Sequence, residues 1–155
     1  MAMLILSALG LTGVTVVIHS VGTMALTGRA AEAWIPSKDR RGRLGTELLL
    51  ALFVSLLLML HLGETAVWAL FFRLVGGVPD LESAAYFSLT SYTTVGYGDV
   101  VLPEPWRLLG PLEAAVGVLM LGWSTGILVA VIGTIYRQLF PSLRGGTGLS
   151  GSESG

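Results

Sequence analysis

Apolar residues fall into three long blocks, at about 4–26, 48–75 and 108–136. A membrane-crossing helix needs about 20 mostly apolar residues rising 1.5 Å each, so each block predicts one span. The first block carries no charge, only His19 and a few hydroxyls; the second holds His61, Glu64 and Arg73 in its later half; the third has Glu113 near its start. The pattern divides the chain into a first transmembrane helix over 1–27, a basic loop over 28–43, an outer helix over 44–75 and an inner helix over 108–137. A tail over 138–155, rich in Gly and Ser near its end, reads as disordered. The first basic residue, Arg29, follows the first block rather than preceding it. That block is therefore expected to be a retained helix and not a cleaved signal peptide.

The stretch PDLESAAYFSLTSYTTVGYGDVVLPEPW, residues 79–106, breaks the pattern between the second and third blocks. Asp80 can cap a helix, Glu82 complements its positive end, and 81–91 contains no Gly or Pro. A helix over 80–92 is expected. The eleven residues 81–91 reach only ~16 Å, too short to cross a bilayer. It must enter and turn back, and non-helical backbone at that depth needs protein or water around it.

Composition agrees with a membrane setting. Hydrophobic residues make up 53% and charged ones 12%, against about 25% charged in an average soluble domain. A soluble enzyme, a nucleic-acid binder and a disordered regulator are excluded. The net charge of -1 offers a polyanion nothing, and the absence of cysteine removes disulfides and thiolate sites. Arg29, Lys38, Arg40, Arg41 and Arg43 lie between blocks one and two, Arg137 and Arg144 follow block three, and only Arg73, at the end of block two, and Arg107 fall around the connection between blocks two and three. The positive-inside rule then puts the N-terminus outside and the C-terminus in the cytoplasm of a multi-pass protein of the cell inner (plasma) membrane.

The turning point is TTVGYGD, residues 93–99. Gly96 and Gly98 can take left-handed backbone angles, and alternation with Val95 and Tyr97 lets successive carbonyls point one way. The Thr94 hydroxyl adds one more oxygen. Four such loops around an axis would build oxygen cages able to replace the hydration shell of K⁺. This heptapeptide resembles the signature filter of the potassium-channel pore family, and the likeness covers about 44–137, in the order outer helix, pore helix, filter, inner helix. Small bacterial pore-loop channels with an apolar N-terminal extension are the nearest kind.

The resemblance implies an all-α integral membrane fold with three transmembrane helices, a re-entrant pore helix over 80–92 and a filter loop over 93–99. It implies a homotetramer in the lipid bilayer conducting K⁺ passively, with K⁺ held at Thr94, Val95, Gly96 and Tyr97 and with Gly98 completing the lining. It implies no enzymatic activity, no cofactor other than the permeant ion and no nucleic-acid partner. Asp99 falls at the outer mouth, with Thr93 supporting the filter from below. Tyr86 and Phe87 resemble the aromatic cuff that braces Tyr97, and Trp106 is either a further support or an interface anchor. Some bacterial relatives carry a glutamate where this chain has Thr90, so a carboxylate pair with Asp99 is not expected. Tyr92 has no assigned role.

In the inner helix Gly122 is a candidate gating hinge and Gly126 a second, although close packing explains them equally well. His61, Glu64 and Glu113 are expected near the back of the filter as a polar network, structural or pH-sensing, with a metal site a weaker alternative. His19 is expected to bond to a neighbouring helix. The chain shows no Arg-repeat helix, no nucleotide-binding fingerprint and no EF-hand loop, so gating falls to the pore, the bilayer or an unidentified regulatory subunit. The alternative reading is a non-conducting or weakly selective pore-like subunit that needs a partner.

Overall fold

The computed structural model describes residues 1–34 and 43–139, and every ordered element among them is helical. Four helices follow in order: α1 (Ala2–Trp34), α2 (Arg43–Leu74), α3 (Leu81–Tyr92) and α4 (Leu109–Leu139). Three contain stretches long and apolar enough to cross a membrane, Ala2–Glu32, Leu44–Leu74 and Leu109–Arg137. The chain is thus an all-α membrane protein. Lys38, Arg40, Arg41, Arg144 and most of the expected tail lie outside the described residues.

The ends of α2 and α3 have clear local causes. After Leu74 the chain closes a double turn, with the Gly77 N–H donating to Phe72 O at 2.9 Å and the Gly76 N–H to Arg73 O at 3.3 Å. This pattern satisfies carbonyls that a helix end leaves unpaired. Asp80, extended at φ -143° and ψ 167°, then caps α3 by accepting the Ser83 N–H at 2.8 Å.

The described residues up to Ser124 form one compact unit, and those from Thr125 to Leu139 form a second. In the first, an apolar core lies where α2, α3 and the start of α4 meet. Trp68, Phe72, Phe87, Trp106 and Leu109 are all buried in it. Phe72 meets Phe87 edge-on at 5.3 Å, and Phe71 meets Trp106 at 5.5 Å and 89°. Such tilted ring pairs align a positive ring edge with a negative face.

The face that α1 turns to the protein is its more polar one. Thr15, His19 and Thr23, four residues apart, are buried together with Leu4 and Leu11, while Leu6, Leu9, Val17 and Met24 are exposed. Lipid is as apolar as leucine, so packing between membrane helices is selected by small and polar groups. The Trp68 indole N–H donates to the Thr15 hydroxyl at 2.9 Å and pins α1 to α2. In the second unit the tail of α4 stays helical to Leu139, and Arg137 reaches back to the Thr134 hydroxyl at 3.4 Å.

Candidate functional site

The first part of segment 93–99 is placed by the last turn of α3. The Thr93 N–H donates to Leu89 O at 3.1 Å, the Thr94 N–H to Ser91 O at 2.9 Å and the Gly96 N–H to Thr90 O at 3.1 Å. Three donors folded back onto one helix end hold the departing strand close to the α3 axis. Beyond that point φ is positive at Thr94 (63°), Gly96 (50°) and Gly98 (80°), but not at Val95 or Tyr97. Backbone that alternates between the two hands turns successive peptide units the same way, which is how a row of like dipoles arises. Glycine does this freely. Thr94 does not: a β-branched residue at positive φ is an outlier, costing on the order of 1–3 kcal/mol and typical of functional sites. Its left-handed angle is a feature that composition and spacing did not signal.

All of residues 93–99 are exposed in the single chain, Tyr97 at 73% and Val95 at 50%. Behind them lies a mostly apolar cleft of about 410 Å³, lined by Thr90, Thr94, Gly96, Gly98, Gly110 and Ala114 among others.

The expected supporting residues are placed as follows. Tyr86 donates its hydroxyl to Asp99 Oδ2 at 2.8 Å, and Asp99 Oδ1 accepts the Val100 N–H at 3.1 Å. The bond to Asp99 raises the Tyr86 phenol above its ordinary pKa. At the other end of α3 the Ser83 backbone N–H, followed by the Ser83 hydroxyl, holds Asp80 below the usual carboxylate range. Phe87 lies in the core against Phe72, so within one chain it supports α3 rather than Tyr97. Trp106 is buried against Phe71. The Thr90 hydroxyl returns to Phe87 O at 3.0 Å, and it is the Thr90 carbonyl that engages the segment.

Two buried polar groups lie behind the segment, where the sequence suggested one. Glu64 is fully buried. It accepts from His19 Nδ1 at 2.8 Å and from the Tyr92 hydroxyl. His61 Nδ1 lies 2.9 Å from the Tyr92 oxygen and 3.4 Å from Glu64 Oε2. His61 Nε2 reaches the Ser124 hydroxyl at 3.1 Å. Glu113 does not join them. It accepts from Ser88, whose hydroxyl also lies 2.8 Å from Thr65 O. The reason is the helix repeat: Ser88 and Tyr92 are one turn apart on α3, about 6 Å along its axis, so the partners they select on α4 and α2 form separate groups. Sequence reading missed Tyr92 and Ser124 as members. Tyr92 had one available signal, its place immediately before the TTVGYGD run.

The glycines of α4 divide similarly. A Cβ at Gly117 would run into the Tyr92 backbone carbonyl, so this is where α4 crosses the end of α3. Around Gly122 and Gly126 the chain leaves open space, and α4 continues as a helix through both.

Residues 48–134 match the family described as ion channel. A 60-residue stretch is 38% identical to the potassium voltage-gated channel protein shk-1 of Caenorhabditis elegans, covering 38% of this chain and 11% of that protein. No solved structure matches the chain. The family match takes in more than half of the chain: α2 from Leu48, α3, the exposed alternating segment and α4 to Thr134. With two apolar spans flanking a short capped helix and its returning strand, the chain belongs to the family of pore-loop ion channels.

Proposed function

We propose that the chain is the subunit of a K⁺-selective channel, with four copies around one axis and the carbonyls of Thr94, Val95, Gly96 and Tyr97 lining the ion path. The observation that carries this reading is the alternation of φ at Thr94, Gly96 and Gly98 in a segment that one chain leaves entirely exposed. Irregular backbone at membrane depth has to be covered by protein or by water in a pore. One chain supplies one row of carbonyls, and a K⁺ cage needs four, so closed four-fold symmetry supplies both the cover and the cage. Gly98 completes the lining, and Tyr86 steadies Asp99 at the mouth. The relative's name adds the ion. The negative end of the α3 dipole favours a cation at the helix C-terminus, near Thr94. The membrane is the cell inner membrane, with the N-terminus outside and the basic loop and C-terminus in the cytoplasm.

The test is flux into liposomes containing the purified full chain, with K⁺ and Na⁺ compared under matched gradients. Selective K⁺ uptake with a tetramer by native mass is the expected result. Equal K⁺ and Na⁺ flux, or a mass other than a tetramer, would refute the proposal.

A further inference from the structure

His19, His61 and Glu64 each offer a ligand atom, and these atoms lie within 4.8 Å of one another. They come from two helices, α1 and α2, and all three residues are buried. A fourth donor, the Tyr92 hydroxyl, is supplied by α3 and sits between His61 Nδ1 and Glu64 Oε2. We propose that His19, His61, Glu64 and Tyr92 form a binding site for a divalent first-row transition ion of the zinc class, joining the first span to the base of the conducting segment.

The donor set suits such an ion. Imidazole favours Zn²⁺, Cu²⁺ and Ni²⁺, and one carboxylate with two imidazoles is a common protein set. Zinc bonds of about 2.0–2.1 Å hold tetrahedral ligand atoms about 3.4 Å apart. His19 Nδ1 lies 2.8 Å from Glu64 Oε1, and His61 Nδ1 lies 3.4 Å from Glu64 Oε2 and 2.9 Å from the Tyr92 oxygen, so the donors are gathered on the scale of such a shell.

The hydrogens around the two rings argue the same way. Both Nδ1 atoms face Glu64, and both Nε2 atoms face one hydroxyl, Ser124, at 3.1 Å from His61 and 3.5 Å from His19. A neutral imidazole has one N–H and one lone pair. With both rings protonated at Nδ1, the two Nε2 lone pairs compete for the single Ser124 hydrogen. A cation on the Nδ1 side resolves this. Both Nδ1 lone pairs go to the ion, both Nε2 atoms carry hydrogen, and the two lone pairs of Ser124 accept them. The Ser124 hydrogen is then free for a carbonyl of its own helix. Ser124 thereby holds the outer nitrogen of both ligating histidines, the role that outer partners play in zinc sites.

Such a site is closed by protein ligands and serves structure, not hydrolysis. It forms only once α1 has docked on α2, and it takes hold of Tyr92, the residue next to Thr93. Metal content is read without reference to ion flux, so it stands or falls independently of the proposed selectivity.

The experiment uses the full-length protein in detergent, stripped with a chelator, loaded with Zn²⁺ and dialysed, with metal counted by mass spectrometry and assembly checked by gel filtration. About one Zn²⁺ per chain is expected, along with a rise in melting temperature. Co²⁺ in its place should give the intense visible bands of a tetrahedral site, which exposed carboxylates do not give. His19→Ala should abolish retention. The milder Ser124→Ala, which leaves every ligand in place and should preserve the fold, should weaken binding about 10–100-fold. Failure of the wild type to retain Zn²⁺, or retention unchanged in a correctly assembled His19→Ala protein, would overturn the proposal.

Discussion

Gly117 offers the sharpest test of how α4 meets the end of α3. Replacing it with alanine puts a methyl group where the Tyr92 carbonyl lies, and the obstacle is backbone, which cannot rotate away. Alanine in a helix interior is favoured over glycine by about 0.8–1 kcal/mol, so a position with free space should gain. At Gly117 that gain meets an overpacking cost of typically about 1–3 kcal/mol, occasionally more. Gly117→Ala is therefore expected to destabilise each chain by up to about 2 kcal/mol net. The strain falls on the residue before Thr93, so K⁺ flux should drop along with stability. Gly63→Ala in α2 is the control, because a Cβ there meets nothing within 4 Å. Thermal denaturation of the purified assembly and liposome flux would be measured for both variants. If Gly117→Ala is as stable as Gly63→Ala and conducts like the unaltered protein, the close crossing of α3 and α4 does not exist as described.

Four further outcomes follow from the geometry. Gly98→Ala forces a Cβ into the left-handed region at φ 80°, a cost of roughly 1–2 kcal/mol, and should abolish K⁺-over-Na⁺ preference in the flux assay. Trp68→Phe keeps most of the ring but loses the bond to Thr15; a loss of about 0.5–1.5 kcal/mol should appear as a lower melting temperature. Ser88→Ala strips the buried Glu113 of the donor to its Oε1 and should cost about 1–3 kcal/mol, whereas Ser88→Ala combined with Glu113→Gln should recover part of it. Asp80 is held below the usual carboxylate range by Ser83, so its cap is at full strength above the ordinary carboxyl pKa and is lost as pH falls through the lowered one. Asp80→Asn keeps a cap and should remove that part of the acid dependence of stability, measured by melting from pH 6 downward.

Much of the architecture was legible without coordinates, because the bilayer imposes a length rule that soluble proteins lack. Three apolar blocks became three spans, and Asp80, followed by a run free of Gly and Pro, became the capped α3. Gly96 and Gly98 could be assigned left-handed angles on chemistry alone, since no other residue adopts them so cheaply, and both do. What periodicity could not supply was the identity of neighbours. His19 lies 45 residues from Glu64, and no spacing rule links them, yet α1 packs so that they meet at 2.8 Å. Glu113 looked like a partner for His61 because both were expected at similar depth, but depth is one coordinate, and helix rotation sent Glu113 to Ser88. Thr94 at φ 63° breaks its own local preference, which only surrounding contacts can enforce. The chain alone thus determined which segments are long and apolar enough to cross a membrane and where the short capped helix and its two left-handed glycines fall, because those depend on local length, polarity and backbone freedom. The tertiary structure decided which buried groups share hydrogens and which glycine marks the helix crossing, because those depend on how rigid helices rotate and close on one another.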